Sequence, residues 1–301
     1  MAEPTYRSGF VCFVGRPNTG KSTLTNALVG TKVAITSSRP QTTRHTVRGI
    51  VHRPDAQLIL VDTPGLHRPR TLLGQRLNDL VRDTYSEVDV IGLCIPADEK
   101  IGPGDRWIVD QLHHVAPKTP VVGVVTKIDK VAKAQVVQQL LALSALLGPE
   151  AEVVPVSAAR AEQLDVLGDV FASAMPEGPQ LYPDDEFTDE SDTVMMAELI
   201  REAALEGLGD ELPHSLAVVI EEVSAREGRA DFHDVRALLY VERPSQKSIV
   251  IGKGGARLRQ VGTAAREQIE QMFGNRIFLE LHVKVAKDWQ RDPKQMGKLG
   301  Y

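Results

Sequence analysis

The sequence predicts an α/β domain, with a mostly parallel sheet and helices on both faces, followed by a smaller α+β domain. Three observations carry this expectation. Short Val- and Ile-rich runs alternate with helical patterns over residues 1–175. A glycine-rich loop leaves the first of those runs and opens the first helix. Proline, glycine and acidic residues break the alternation at 176–187, and an α+β pattern follows over 188–301.

Each element has its own signal. Residues 10–14, 58–61, 90–95, 121–125 and 153–156 are short apolar runs that end in turn or polar residues, as buried strands do. Residues 22–29, 74–85, 105–114, 134–147 and 161–174 carry the intervening helical patterns. Residues 47–52 are less apolar and closely precede 58–61, which predicts an antiparallel edge strand. Pro176, Gly178, Pro179 and Pro183, then Asp184, Asp185 and Glu186, cannot continue a helix and predict an interdomain linker. Beyond it, 192–206 and 256–273 read as helices, and 215–223 and 232–241 are strand-rich. Ile277, Leu279, Leu281 and Val283 alternate with polar residues, the pattern of a half-buried strand.

Composition bounds the class. With 42% apolar and 25% charged residues, the chain is neither disordered, collagen-like nor a disulfide-dense miniprotein. No stretch approaches the roughly 18 apolar residues of a membrane span. Residues 1–10 lack a long apolar run, so no secretory signal is expected. Cys12 and Cys94 stand in apolar runs, which predicts buried thiols in a reducing, cytoplasmic compartment. The net charge of −5 argues weakly against nucleic acid, yet it hides a gradient. Residues 187–246 hold 5 basic and 14 acidic side chains, and residues 247–301 hold 11 basic and 5 acidic. The last segment can hold an anionic polymer; the one before it cannot.

Gly15-Arg16-Pro17-Asn18-Thr19-Gly20-Lys21-Ser22 matches the phosphate-loop pattern GxxxxGK[ST], with a strand before it and a helix after it. Its glycines let backbone N–H groups point at phosphate oxygens, and the helix N-terminus adds partial positive charge. Lys21 is placed to reach the β- and γ-phosphates and the Ser22 hydroxyl to bind Mg²⁺. Asp62-Thr63-Pro64-Gly65 closes the next apolar strand. Its carboxylate can hold the metal through water, and the Gly65 N–H can meet a γ-phosphate; alone, the fragment would be an ordinary turn. Thr126-Lys127-Ile128-Asp129 closes a further strand. Asp129 can accept from guanine N1–H and N2–H₂, a donor pair that adenine lacks, while the Lys127 stem covers the base. Ser157-Ala158 closes the last strand and can offer a backbone N–H to guanine O6. Singly, each fragment reads as a polar strand end; together, in this order, they are specific.

At these residues the chain resembles the translation-factor-like GTPases and, more narrowly, the Era family. The resemblance rests on GRPNTGKST at 15–23 (through Thr23), QTTRH at 41–45 and VDTPGLH at 61–67. It extends to ELPHS at 211–215, SQKSIVIGKGG at 245–255 and the ending around 283–289. It implies Thr43 as the favoured Mg²⁺ ligand, with Thr42 as the alternative. In related GTPases an asparagine at the place of Asn18 ligates K⁺; Asn18 either does so here or only shapes the loop. Thr126 stands where the base-reading box NKxD has asparagine, which leaves guanine specificity mainly to Asp129. Leu66 stands where Ras-like enzymes carry a water-orienting glutamine. The family shares this apolar residue, which implies slow chemistry helped by another source of charge.

Gly252-Lys253-Gly254-Gly255 follows 248–251, read as a strand pattern ending in Ile251, and opens a long helix. This reads as the GxxG loop of a KH domain, which clamps about four nucleotides of single-stranded RNA. Lys247, Lys253, Arg257, Arg259 and Arg266 cluster around it, and the element order fits the type II arrangement. The tail interleaves Lys284, Lys287, Arg291, Lys294 and Lys298 with Trp289 and Tyr301, which suits stacking and phosphate contact. The resemblance implies a slow Mg²⁺-dependent GTPase that binds the 3′ end of 16S rRNA and acts in 30S subunit assembly and rRNA maturation. A monomer is expected. Peripheral membrane contact is known for bacterial members of the family, though no amphipathic anchor is visible here. An RNA chaperone that binds nucleotide with little turnover, or a nucleotide kinase, are the alternatives; the base-reading box opposes the kinase.

Overall fold

The computed structural model describes residues 6–37, 42–44, 46–64, 71–206 and 215–301. The chain divides into two compact units. The first comprises Met1–Thr36, Thr43–Arg68 and Arg76–Asp189; the second comprises Ser37–Thr42, Pro69–Gln75 and Glu190–Tyr301.

The first unit is built on a six-stranded sheet, β1 (Arg7–Val14), β2 (Val47–His52), β3 (Ala56–Asp62), β4 (Val90–Pro96), β5 (Val121–Thr126) and β6 (Val153–Pro155), in the order β2-β3-β1-β4-β5-β6. Every pairing is parallel except β2 with β3, so the expected antiparallel edge strand is present at 47–52. Helices α1 (Lys21–Val29), α2 (Leu72–Glu87), α3 (Pro103–Val115) and α4 (Lys133–Leu147) connect strands, and α5 (Leu164–Ala174) follows β6. Strand alternation sorts the side chains of β1 between two cores. Val11 and Phe13 join Leu24 and Phe171 on the face of α1 and α5. Cys12 and Val14 join Val81, Tyr85, Ile108, Leu112 and Leu143 on the face of α2, α3 and α4. Full burial of each such side chain contributes about 1.5–3 kcal/mol, which is what holds helices to both faces. Both cysteines are free and buried, and burial pushes their thiols up to about 12.

The stretch read as a linker is laid along the first unit. The Ser8 N–H donates to the Pro176 carbonyl at 3.2 Å, and the Ile50 N–H to the Phe187 carbonyl at 2.9 Å. Gln57 Nε2 donates to the Tyr182 carbonyl at 2.8 Å while its Oε1 accepts from the Leu181 and Tyr182 N–H groups. Proline prevents a helix here but leaves an extended backbone free to bond a neighbour, and the compact unit runs to Asp189.

The second unit has the order α6 (Asp192–Leu205), β7 (Ala217–Arg226), β8 (Arg229–Val241), α7 (Pro244–Ile251), α8 (Ala256–Phe273), β9 (Arg276–Val285) and a short α9 (Pro293–Lys298). Its sheet runs β7-β8-β9, antiparallel then parallel. This is the type II KH order. Residues 248–251, read as a strand, are the end of helix α7: Pro244 stands in its first turn and Gln246 Oε1 accepts from the Glu242 and Arg243 N–H groups. Ser191 caps α6 through its hydroxyl. Arg201 is buried in α6, paired with Glu198 (Nε to Oε1, 2.8 Å) and bonded to the Thr42 carbonyl. Among the described residues, no helix is long and apolar enough to cross a membrane.

Candidate functional site

The sequence fragments singled out in the first unit meet at the C-terminal edge of its sheet. Val14 ends β1 and the chain turns through residues 15–20 into α1. A Cβ at Gly15 would stand 2.6 Å from the Cys94 carbonyl oxygen, and Gly20 has φ +98°, so both positions need glycine. Arg16 anchors the loop from outside: its Nε bonds Asp105 at 2.7 Å and its Nη2 pairs with Glu99 at 3.0 Å. Asn18 is exposed, at φ +64°. Pro17 lies between these two loop residues, half-buried. Thr19 is buried and donates to the Arg16 carbonyl at 3.0 Å.

Lys21 is not on an open loop surface. It is the first residue of α1, 7% exposed, and its ammonium donates to the carbonyls of Gly15 (3.1 Å) and Arg16 (3.0 Å). Burial pulls its pKa down, and Asp62 partly opposes that shift. Three oxygens converge beside it. Ser22 Oγ donates to Asp62 Oδ2 at 2.6 Å, Thr43 Oγ1 donates to the same oxygen at 3.2 Å, and the two hydroxyls are 3.1 Å apart. Of the two adjacent threonines, Thr43 is therefore the one that meets Ser22 and Asp62. Asp62 is fully buried; burial raises its pKa, and the Ser22 bond and Lys21 oppose the rise. Its Oδ1 is a buried oxygen with no hydrogen-bond partner among the described residues. A hard, oxygen-only donor set with an unmatched buried carboxylate oxygen fits Mg²⁺. Thr63 Oγ1 turns away, to the Phe13 carbonyl at 3.4 Å, and Pro64 follows it. Gly65 and Leu66, like Gln41 and His45, lie outside the described residues.

The base-reading fragments line a recess between Gly20, Thr23 and Leu24 on one side and Thr126, Lys127, Asp129, Lys130, Ala158 and Ala159 on the other. Lys127 has φ +57° at the start of the short turn that carries Ile128 and Asp129. Ser157 Oγ donates to Asp129 Oδ1 at 2.6 Å, and this bond holds the carboxylate below its ordinary range. Ser157 in turn is fixed by the Arg160 N–H at 3.2 Å and by backbone bonds to Glu162. Lys130 and Ala159 were not singled out from sequence; their adjacency to Asp129 and Ala158 was the available signal.

In the second unit the GxxG loop joins α7 to α8. Gly252, Gly254 and Gly255 have φ of +73°, +57° and +75°, a run of left-handed backbone that side chains resist. Lys253 is exposed at its tip, and Ile251 is half-buried behind it. Two residues expected at an RNA face serve the fold. Arg257 Nη2 donates to the carbonyls of Ala204 (3.3 Å) and Glu206 (2.5 Å), capping the end of α6. Trp289 is fully buried, donates through Nε1 to the Ser215 carbonyl at 3.0 Å, and stacks on Tyr301 at 5.4 Å. Its ring is not open to a base. The tail is ordered because Asp292 caps α9 and buries Met296 and Leu299. Lys284 is exposed and reaches Glu221 at 3.5 Å; Lys287 is exposed. The ELPHS residues 211–214 lie outside the described residues.

Comparison with known proteins agrees with both halves. A family model described as "50S ribosome-binding GTPase" matches residues 10–127, and one described as "KH domain" matches residues 211–290. The protein called GTPase Era from Mycolicibacterium smegmatis is 75% identical over 296 residues, covering 98% of this chain and 99% of its own. Its counterpart from Mycobacterium tuberculosis is 71% identical over 297 residues, with the same coverage. Among solved structures, Era in complex with MgGDPNP and nucleotides 1506–1542 of 16S ribosomal RNA superposes with a TM-score of 0.93 at 38% identity, covering 98% of this chain and 99% of that one. A variant of Aquifex aeolicus Era bound to GDP and aluminium fluoride superposes with a TM-score of 0.93 at 36% identity, with the same coverage.

Proposed function

The chain belongs to the Era family of GTPases, and on that premise we propose that it is a GTP-hydrolysing switch whose second unit binds the 3′ end of 16S rRNA during 30S subunit assembly and rRNA maturation. The observation that carries the enzyme half is the meeting of Ser22, Thr43 and Asp62 beside the buried Lys21.

In this reading the N–H groups of residues 15–20 and the N-terminus of α1 hold the α- and β-phosphates. Lys21 reaches the β- and γ-phosphates, where its positive charge meets charge that grows on the leaving oxygen. Ser22, Thr43 and, through water, Asp62 would hold Mg²⁺, which supplies neutralisation of the β- and γ-oxygens. Thr43 stands in the polar, aperiodic stretch 31–45, which reads in sequence as the first switch loop, so its hydroxyl ties that stretch to the triphosphate state. Gly65 offers its N–H to the γ-phosphate, and Leu66 offers no group to orient water, which keeps hydrolysis slow. Asn18 is the residue through which K⁺ would add charge beside the β- and γ-phosphates; replacing K⁺ by Na⁺ at constant Mg²⁺ then slows hydrolysis. Asp129, oriented by Ser157, takes the two donors of guanine, and Lys127 covers its face.

Support for the RNA half is the left-handed glycine run with Lys253 exposed at its tip, together with what the solved Era complex holds. Lys284 and Lys287 extend the basic surface; Trp289 and Arg257 hold the module together. The test is single-turnover GTP hydrolysis with and without a 16S 3′-end oligonucleotide. A slow basal rate that RNA changes is expected. Nucleotide binding with no turnover under either condition would make the protein an RNA chaperone instead.

A further inference from the structure

Thr126 stands at the edge of the recess that receives the base, three residues before Asp129, and its hydroxyl is already committed. Thr126 Oγ1 donates to the Thr19 carbonyl in the phosphate loop at 2.6 Å. Both residues are buried, at 4% and 1% exposure. The same oxygen lies 3.8 Å from where a Cβ on Gly20 would stand, which places it under the loop. A threonine hydroxyl has one proton and two lone pairs. Once the proton is given to Thr19, the side chain has only acceptors left to offer.

Guanine presents two chemically opposite edges. N1–H and N2–H₂ are donors, and Asp129 matches them. N7 and O6 are acceptors and need a donor. O6 has the backbone N–H after Ser157. N7 has nothing at position 126, because an acceptor facing an acceptor makes no bond. An asparagine amide would carry two protons, enough for the loop carbonyl and N7 together. Threonine keeps the first duty and drops the second.

We propose that residue 126 leaves purine N7 unread in this chain, so that its nucleotide site accepts guanosine triphosphates whose N7 is replaced by carbon. The inference rests on the base-site reading above and sharpens it: specificity comes from the Asp129 edge and O6 alone.

The test is displacement of a fluorescent GDP analogue from the full chain at fixed Mg²⁺ by GTP, 7-deaza-GTP and ITP. ITP lacks the N2 amine and reports on Asp129 by itself. In the native protein, 7-deaza-GTP binds within about twofold of GTP, while ITP binds at least about tenfold more weakly, as loss of a hydrogen bond to a charged group predicts. In Thr126→Asn, 7-deaza-GTP falls about five- to tenfold behind GTP, because an N7 bond now exists to lose. Thr126→Ser, which keeps the single proton, behaves as the native protein does. A native protein that rejects 7-deaza-GTP by fivefold or more overturns the proposal without any variant having to fold. A folded Thr126→Asn that gains no preference also overturns it. Equal binding of ITP and GTP would sink the Asp129 reading instead, and the two failures are separately visible.

Discussion

The nucleotide site and the glycine loop of the KH unit are both proposed to meet phosphates, and they are built in opposite ways. At the first, the charges are buried: Lys21 and Asp62 are both under 10% exposed, Lys21 held by the Gly15 carbonyl of the loop and Asp62 by the Ser22 hydroxyl. At the second, the charge is at the surface: Lys253 is exposed on a loop whose glycines leave room for a backbone to approach. Burial lowers the local dielectric, so a buried charge acts strongly on a reacting group and its removal is felt by the fold as well. An exposed charge is screened by salt and adds affinity in small, similar increments. The first architecture suits chemistry on one defined ligand; the second suits grip on a flexible polymer.

Substitutions separate the two regimes. Lys21→Ala should reduce hydrolysis at least about hundredfold, the scale of losing one preorganised charge at a developing oxyanion. It should also lower thermal stability, since the carbonyls of Gly15 and Arg16 lose their donor. Phosphate-release kinetics beside a thermal melt checks both; unaltered turnover would mean that the loop does not hold the triphosphate. Asp129→Asn should weaken GTP by roughly a hundredfold and improve xanthosine triphosphate, because an amide can donate to the xanthine carbonyl. Nucleotide titration decides it, and unchanged GTP affinity breaks the base-site assignment.

At the glycine loop, Lys253→Asp with Gly254→Asp places two carboxylates where the proposal puts RNA phosphates. Binding of a 16S 3′-end oligonucleotide should drop by about tenfold or more, and the drop should shrink as salt rises. Fluorescence titration at several stated salt concentrations, with a melt to show a folded variant, measures it. Native affinity would mean that the loop is only a turn.

The smallest effect is also the most diagnostic of burial. The Asp62 carboxyl has its pKa raised in the folded chain. A raised folded value means that this group favours folding below its unfolded pKa, and that the advantage is lost as pH rises through the folded value. Removing the charge should therefore help the metal-free protein at neutral pH. Asp62→Asn should raise its Tm by about 2–4 °C, as about 1 kcal/mol does for a domain of this size, and should abolish any further rise on adding Mg²⁺ with nucleotide. Calorimetry with and without Mg²⁺ reads both; a lower Tm without metal would show that the carboxylate is stabilised by its neighbours rather than penalised.

The same contrast governs what could be read in the sequence. Residues 15–22 and the strand ends at Asp62, Asp129 and Ser157 were legible because each needs a residue type at a fixed place relative to a strand. The parallel sheet was legible because its strands, covered on both faces, are continuous apolar runs. Burial of the charges was not: nothing in the polar run around Lys21 signals that the fold closes over it. Residues 248–251 misled because four apolar-leaning positions do not separate helix from strand; Pro244 and Gln246 carried the helix signal upstream. Trp289 misled because cations surround it in sequence. The signal that it is core was Asp292-Pro293, a helix start, with Met296 and Leu299 three apart on one face.

The end of the stretch 176–189 runs beside β2. β2 is the outermost strand of the first unit's sheet on that side. Its free edge is met by the Ile50–Phe187 hydrogen bond and by the bridge between Gly49 and Thr188. An open strand edge is a template for another chain, and proteins guard such edges. Here the guard is Glu186, Phe187 and Thr188, at the end of a stretch whose residues 176–187 read in sequence as a linker to be cut away. A fragment trimmed at residue 175 would bare the edge and should self-associate through it in light scattering, whereas one extending to Asp189 keeps its own edge covered.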